Sequence, residues 1–249
     1  MSVPFRERVG WIPTDAEVLD HGFDFRPAWW QHRPQDRSWA DFLTTLPAAR
    51  KQRRSPDWRH VTRGDLLRAP ETGPRPYGAL LLGGYVWGTG DLGFRVGRRA
   101  QVFTDARTTA NDVTNRLAGA VQGMRNDGPG AGYSTLLRHQ DNWLRHLGPS
   151  FFTKFLYFAD ADGATGDVGR ALILDQFVAI GLNYLEGWNL DETGPWPVSS
   201  YERWLDYAHH AAAEPDGPGS GAVRADAIEM AVFLLGRRIS NVRRGRSAG

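Results

Sequence analysis

The sequence predicts an all-α fold, and three observations support this prediction. No segment shows the sustained alternation of apolar and polar residues that is typical of a half-buried strand. Several segments, among them residues 133–146, instead repeat apolar side chains at helical spacing. Gly- and Pro-rich breaks, as at residues 128–132 and 148–149, separate these segments. A chain of this kind builds its core by packing helix against helix.

The elements follow one another in a simple order. Residues 1–35 are rich in Pro, Trp and Asp without a clear period, so we expect an irregular N-terminal arm. Residues 36–238 then form a helical domain, arranged as one unit or as two lobes, and residues 239–249 form a basic C-terminal tail. We expect loops at residues 71–76 and 159–169. The expected helices cover residues 38–52, 62–69, 77–93 (helix and turn), 105–124, 133–146, 150–158, 174–185, 199–213 and 222–238.

Composition excludes several classes of protein. The chain has 249 residues, of which 41% are hydrophobic and 23% charged, as in an ordinary globular protein. It contains no cysteine, which excludes disulfides, thiolate metal sites and iron–sulfur clusters of the usual ligation. There is no apolar run of about 18 residues and no secretory signal pattern at the N-terminus. We therefore expect a cytoplasmic protein that does not associate with membranes.

The net positive charge is small, but the arginines are clustered. The formal net charge is only +2, but arginines concentrate at residues 50–54, 95–99 and 237–246. Such clusters either contact phosphate groups or form solvated faces. In the middle cluster the candidates for phosphate contact are Arg95, Arg98 and Arg99.

One lysine stands out because nearly all the basic residues of this chain are arginines. There are 28 arginines and two lysines, Lys51 and Lys154. Lys154 lies within the aromatic segment FFTKFLYF, and a helical advance of about 100° per residue puts it beside the apolar stripe. We expect its stem on apolar surface and its amine at the lip of a cavity. A desolvated amine loses its proton more readily and can attack a carbonyl or sugar carbon, which a guanidinium cannot do. The alternative is a lysine whose head reaches water.

Two further features lie near this lysine in the sequence. Gly148-Pro149 form a turn before the helix, and this turn either exposes backbone amides to a phosphate or simply marks a helix boundary. Asp175 follows an apolar segment and begins the next helix. An aspartate in that position caps the helix, and it also stays ionised, so it can act as a base or stabilise positive charge.

The pattern LGPSFFTKFLYFA, followed by a loop and then ILDQFV, resembles the helix–hairpin–helix DNA glycosylase superfamily, and most closely its 8-oxoguanine glycosylase branch. In that family a lysine at the start of the second hairpin helix attacks the sugar, and an aspartate follows about twenty residues later. Here the separation is 175 − 154 = 21. The resemblance implies that Lys154 is the nucleophile and Asp175 the catalytic aspartate. The DNA-binding residues it implies are Gly148, Pro149 and Ser150, together with Arg95, Arg98 and Arg99.

This chain departs from the family pattern at two places. The family hairpin has two glycines in a G-x-G arrangement just before the lysine, whereas here Gly148 stands alone, six positions upstream. The histidine that often follows the aspartate is absent, and Gln176 and Phe177 occupy that stretch.

The function implied by the resemblance is excision of a modified base, an 8-oxoguanine-like purine, from double-stranded DNA. Excision through a lysine forms a Schiff base, which permits AP lyase cleavage of the strand. This chemistry needs no metal or organic cofactor, and a monomer suffices for it. Two alternatives remain: a DNA-binding protein that keeps the fold without catalysis, and an unrelated helical protein.

Other notable residues have ordinary explanations. We expect Trp29, Trp30, Trp87 and Trp188 to pack in the core, although each could stack on an extruded base. We expect Asp226 and Glu229, on the last helix, to face water.

Overall fold

A computed structural model describes residues 4–51, 54–68, 73–161, 169–214 and 222–246. Within these ranges the chain forms thirteen α-helices, three 3₁₀ helices and one two-stranded antiparallel sheet, which confirms the predicted all-α class. The α-helices are α1 (Phe5–Val9), α2 (Asp15–Asp20), α3 (Phe42–Thr45), α4 (Arg63–Leu67), α5 (Tyr77–Thr89), α6 (Val96–Arg99), α7 (Gln101–Thr104), α8 (Ala110–Asp127), α9 (Pro129–Leu136), α10 (Pro149–Asp160), α11 (Gln176–Glu186), α12 (Val198–Ala213) and α13 (Ala225–Arg246). The strands are β1 (Gly22–Phe25) and β2 (Arg59–Thr62), and the 3₁₀ helices are Pro27–Trp29, Arg37–Ala40 and Gly93–Arg95.

The N-terminal segment differs from the irregular arm that we expected. It contains α1, α2 and β1, and Phe5, Val18, Phe25 and Trp30 are buried in the core. Strand β1 pairs with β2, in a register that sets Gly22 opposite Thr62. Both strands have only four residues, too few for a period to be recognised in the sequence. The segment is therefore ordered by later parts of the chain.

The region before α10 also differs from the prediction. The expected helix over residues 133–146 is wrong: α9 ends at Leu136, and successive turns cover residues 137–148. His139 and His146 adopt φ values of +70° and +66°, which an α-helix does not allow. The expected break at residues 128–132 is mostly helix, because Pro129 fits the first helical position and Gly128 turns the chain before it.

Two long helices have shifted boundaries. Helix α8 begins at Ala110 rather than near Asp105, because Thr109 and Asp112 form a capping box. Helix α13 continues to Arg246, so the expected tail is helical as far as that residue. Residues 162–168 of the loop expected at 159–169 lie outside the described residues, as do residues 71–72 and 52–53.

Helix α5 forms the centre of the fold and is buried on all sides. Its glycines lie against bulky neighbours. A Cβ atom at Gly78 would lie 2.2 Å from the Trp39 ring, and one at Gly83 would lie 2.6 Å from Leu66. The backbone of α5 therefore lies unusually close to surrounding side chains, including those of α10.

Helices α11 and α13 also pack through glycine. A Cβ atom at Gly181 would lie 2.5 Å from the Val232 carbonyl oxygen, and one at Gly236 would lie 1.8 Å from the Phe177 carbonyl oxygen. Only glycine permits the two backbones to approach this closely. Within the part of the chain that the structure describes, no helix has the length and apolar character needed to cross a membrane.

We expect Gly236→Ala to destabilise the protein by about 2 kcal/mol or more, because the added methyl group collides with backbone that cannot move aside cheaply. Gly245→Ala on the same helix is the matched control, because nothing lies within 4 Å of a Cβ atom there. Thermal unfolding of the two variants checks this, and equal midpoints would contradict close packing of α11 on α13.

Candidate active site

Helix α10 carries Lys154 into the protein interior. The residue is only 5% exposed. Its Nζ atom donates hydrogen bonds to the Ser150 carbonyl oxygen at 2.9 Å and to Asp175 Oδ2 at 2.8 Å. The amine therefore does not reach out into water, as a snorkelling lysine would. Lys154 lies in the second turn of α10, because the helix begins at Pro149 rather than at the lysine.

Asp175 uses its two carboxylate oxygens for different purposes. Oδ1 accepts hydrogen bonds from the Phe177 and Val178 amides at 3.0 and 3.3 Å, so the aspartate caps α11 as predicted. Oδ2 faces the Lys154 amine. The positive end of the α11 dipole and the ammonium both stabilise the carboxylate as an anion. One residue thus begins a helix and holds an amine in place.

An extended segment positions Asp175. Residues 171–174 are fully buried but belong to no sheet, so side chains must satisfy their backbone groups. The Thr153 hydroxyl accepts a hydrogen bond from the Leu174 amide at 3.2 Å. Tyr201 Oη and Trp204 Nε1 donate to the carbonyl oxygens of residues 172 and 173, both at 3.0 Å. Because Thr153 is the neighbour of Lys154, this bonding fixes the aspartate relative to the lysine.

Gly88 on α5 makes room for the lysine stem. A Cβ atom there would lie 3.2 Å from Lys154 Cε and 3.1 Å from Phe151 Cε1, closer than ordinary contact. The Gly88 carbonyl oxygen accepts a hydrogen bond from Arg99 Nη1 at 2.9 Å. The Arg99 guanidinium in turn lies 5.0 Å from the centre of the Phe151 ring. Helices α5, α6 and α10 are thereby joined around the amine.

Lys154 and Asp175 lie in a cleft of about 690 Å³. This volume is within the range of small-molecule sites. Aromatic rings from five separate elements of the chain form its walls, and arginines from α13 and from the segment after α5 contribute positive charge. The aromatic residues are Phe23, Trp87, Phe151, Phe177 and Phe233; the arginines are Arg95, Arg99, Arg237 and Arg244; polar lining comes from Thr89, Asp91, Ser150, Gln176, Ser240 and Asn241.

The cleft is electropositive. Burial, aided by neighbouring Arg95, lowers the pKa of Arg99 to about 10, so this guanidinium remains charged at neutral pH. Asp91, an acidic residue of the lining, is already paired with Lys51 and Arg54, and the hydrogen bond from Lys51 lowers its pKa. The arginines are therefore available to attract an anionic ligand.

Comparison with known families identifies the chain. Residues 16–233 match the family described as putative 8-oxoguanine DNA glycosylase OGG-like protein. The chain belongs to this OGG-like family. The match covers Lys154, Asp175 and most of the cleft, and it confirms the family that the sequence motif indicated. No curated protein and no solved structure gave a match.

The residues proposed from the OGG-like motif lie in different places. Gly148 is exposed and is the N-cap of α10, with open space around its Cα, and Pro149 is the first residue of that helix. Ser150 lines the cleft. Arg95 and Arg99 line it as well, whereas the exposed Arg98 lies outside the lining residues.

Sequence reasoning missed several residues of the OGG-like site. Phe23 and Phe233 line the cleft from opposite ends of the chain, and no local pattern relates them to Lys154. Trp87 is buried, as expected, but also forms part of the cleft wall. No local pattern singled out Gly88, although its lack of a side chain accommodates the lysine.

The prediction that Asp226 and Glu229 face water is wrong. Both are buried, because this face of α13 packs against ionic and aromatic partners. Glu229 Oε2 lies 2.6 Å from Arg63 Nη2, and Asp226 Oδ2 accepts a hydrogen bond from Tyr157 Oη at 2.7 Å. Burial raises the pKa of Glu229 to about 7, although Arg63 opposes this shift.

His21 lies directly behind the cleft wall. Its ring contacts Phe23, Trp87 and Phe233 with centroid distances of 5.2, 5.3 and 5.8 Å. Burial, together with the positive charges of Arg63 and Arg237, lowers the pKa of His21 to about 3. The imidazole is therefore neutral in the folded protein at neutral pH.

We expect His21 to make folding acid-sensitive. Its pKa is lower in the folded protein than in the unfolded chain, so stability is complete above about pH 6.5 and falls as the pH drops towards 3. Between pH 7 and pH 5 the wild type should lose about 2 kcal/mol more free energy of unfolding than His21→Gln. Denaturant titrations at both pH values measure this difference. His210→Gln, an exposed histidine, is the control, and an equal loss in all three proteins would contradict the assignment.

Proposed function

We propose that this protein is a DNA glycosylase that excises a modified base, an 8-oxoguanine-like oxidised purine, from double-stranded DNA through Lys154. The observation that carries the proposal is a buried amine paired with a carboxylate in a cationic, aromatic cleft. Membership of the OGG-like family supports the same conclusion. We propose further that the protein acts as a cytoplasmic monomer and has AP lyase activity.

The first step is deprotonation of the amine. The Lys154 ammonium transfers a proton towards Asp175 Oδ2, 2.8 Å away, which leaves a nucleophilic lone pair on Nζ. The amide hydrogen bonds to Oδ1 hold the carboxyl group in the same position throughout. The Ser150 carbonyl oxygen accepts a second hydrogen bond and orients the nitrogen.

The second step takes place at the sugar. Nζ forms a bond to the anomeric carbon while the bond from that carbon to the base breaks, and the base leaves with the electron pair and then gains a proton. Asp175 returns the proton that it took from Lys154 to the departing base, and the carboxylate that this regenerates stabilises the positive charge that develops on the sugar. Opening of the sugar ring gives a Schiff base, and loss of a proton from the adjacent carbon expels the 3′ phosphate. Water then releases Lys154.

The cleft suits a base that has left the duplex. A base within the stack is inaccessible to a buried amine, so it must be extruded. Aromatic rings such as Phe23 and Trp87 would contact its faces, and Gln176 and Asn241 offer hydrogen bonds to its edges. Arg95, Arg98 and Arg99 would bind phosphates on the rim, as would the backbone amides at Gly148 and Ser150.

A borohydride trap tests the nucleophile. Wild type should form a covalent adduct with an abasic duplex and with a duplex containing the excised lesion, drawn from a panel of single-lesion substrates. Lys154→Gln should form none, because glutamine has no nucleophilic amine. Lys51→Gln removes the other lysine, which is exposed and paired with Asp91, and should form the adduct as wild type does. Thermal unfolding confirms that each variant folds.

The outcomes of the trap separate the alternatives. An undiminished adduct in Lys154→Gln would refute the nucleophile assignment. Salt-sensitive duplex binding by wild type without any adduct would indicate a DNA-binding protein without catalysis. Absence of both would indicate a helical protein of another function.

Asp175→Asn separates chemistry from helix capping. Asparagine also caps helices, but it removes the charge that compensates the buried ammonium, so we expect stability to fall by about 3 kcal/mol. Excision should slow by a factor of about 10² to 10⁴, which is typical of losing a general acid–base group. Single-turnover kinetics measure the effect. Unchanged excision in the folded variant would leave Asp175 with a capping role alone.

Salt dependence tests the phosphate contacts. Arg95→Ala and Arg244→Ala should each lower the slope of log binding constant against log salt by about 0.9, because each removes one phosphate contact. Arg125→Ala, an exposed arginine outside the cleft lining, is the control and should leave the slope unchanged. Equal slopes in all variants would place DNA elsewhere on the surface.

A further inference from the structure

Arg99 differs from the other arginines of its cluster. Arg95 and Arg98 are exposed, whereas Arg99, the last residue of α6, is half-buried and faces the cleft. Its Nη1 atom donates a hydrogen bond to the Gly88 carbonyl oxygen at 2.9 Å, and its guanidinium lies 5.0 Å from the centre of the Phe151 ring. The protein therefore holds this guanidinium at a fixed place inside the cleft.

The same contacts bring the guanidinium close to the Lys154 amine. A Cβ atom at Gly88 would lie 3.2 Å from Lys154 Cε, so the residue that binds Arg99 also packs against the lysine stem. Lys154 Nζ lies 5.6 Å from the centre of the Phe151 ring, which Arg99 also contacts. Two cations thus lie against one ring, and the Asp175 carboxylate is bonded to only one of them.

The charge of Arg99 has no counter-ion at close range. Within the part of the chain that the structure describes, no carboxylate forms an ion pair with this guanidinium. Burial, aided by Arg95, lowers the pKa of Arg99 to about 10, and the attraction of Asp175 from beyond ion-pair distance offsets only part of this shift. A partly buried charge without a partner costs free energy. An anionic ligand bound in the cleft would supply the missing charge.

We propose that Arg99 is a catalytic residue that binds the departing base and stabilises the negative charge on it while the bond to the sugar breaks. This inference rests on the proposed glycosylase function. As Lys154 Nζ bonds to the anomeric carbon, the electron pair of the broken bond passes to the base, whose ring nitrogens and carbonyl oxygens share it. The base is anionic until the proton held by Asp175 reaches it. The free N–H groups of Arg99 donate hydrogen bonds to these atoms.

An anion formed beside Lys154 suits Arg99 better than a phosphate of the duplex does. Phosphates lie on the outside of DNA, within reach of exposed arginines such as Arg95 and Arg98. The charge on the base arises at the atom that Lys154 displaces, within the cleft. A cation that the protein already holds there needs no rearrangement during the reaction. For Arg99 alone, this role replaces the phosphate contact proposed for the cluster.

A comparison of two duplexes separates expulsion of the base from the other steps. In single-turnover excision of the lesion, Arg99→Gln should be slower than wild type by about 10²- to 10³-fold, the loss expected for one donor to a developing anion. A preformed abasic duplex has no base to expel, so borohydride trapping of Arg99→Gln on it should change by no more than about twofold. Arg99→Lys keeps the charge and should recover part of the excision rate.

Arg125→Gln is the matched control, because Arg125 is exposed and lies outside the cleft lining. It should excise and trap as wild type does, and thermal unfolding shows whether each variant folds. A phosphate contact at Arg99 gives a different pattern: Arg99→Gln would slow trapping on the abasic duplex as much as excision, and would lower the salt slope of duplex binding by about 0.9. That pattern, or unchanged excision, would overturn the proposal.

Binding of free purines gives a measurement that does not depend on excision. Urate is an oxidised purine that is an anion at neutral pH, whereas hypoxanthine is neutral. In calorimetric titrations, Arg99→Gln should weaken urate binding by about tenfold to hundredfold, as for one charge-assisted hydrogen bond, and hypoxanthine binding by no more than about threefold. Equal losses for both purines, or no urate binding by wild type, would overturn the role of Arg99. If wild type neither excises a base nor traps an abasic site, the proposed function fails, while the urate comparison still decides whether Arg99 binds a purine anion.

Discussion

The buried ion pair between Lys154 and Asp175 is the interaction on which the rest of the site depends. Removing two charges from water is costly, and their attraction repays the cost only when both groups are fully hydrogen-bonded. Here the ammonium also donates a hydrogen bond to the Ser150 carbonyl oxygen. The carboxylate accepts hydrogen bonds from two backbone amides of α11. Gly88 leaves space for the lysine stem, and the buried segment 171–174 holds the aspartate. The surrounding fold therefore sets the geometry of a single 2.8 Å contact.

Further buried charges lie behind the aromatic wall of the cleft and reinforce it. The Arg63 guanidinium lies 5.1 Å from the Trp87 ring centre and pairs with Glu229 of α13. His21, kept neutral by burial, contacts Trp87 from another side. Breaking such a buried pair by removing one partner leaves an uncompensated charge. The position of Trp87, and thus the shape of the cleft, depends on Arg63 and Glu229, which are fully buried, and on His21, which is half-buried.

What the sequence predicted correctly was local. A rare lysine in an aromatic helix and an aspartate at the start of an apolar helix were recognisable from neighbouring residues, and the structure brings the two together. What it could not predict depends on distant partners. In the sequence, Asp226 and Glu229 look like residues that face solvent. Their partners Tyr157 and Arg63 are distant along the chain, so only the structure shows that both acidic side chains are paired and buried. Phe23 joins the cleft only through a four-residue strand that needs its partner to form. The single Gly148 is explained by α10, which begins at Pro149 and carries Lys154 in its second turn.

The most direct test of the account is to locate the covalent bond. The borohydride-reduced adduct between the protein and a lesion-containing or abasic duplex is digested with protease and nuclease, and the modified peptide is sequenced by mass spectrometry. Because the chain has only two lysines, the assignment is unambiguous. We predict a sugar remnant on the Lys154 side chain. A remnant on Lys51 or on the N-terminal amine, with Lys154 unmodified, would contradict the claim that the buried ion pair supplies the nucleophile.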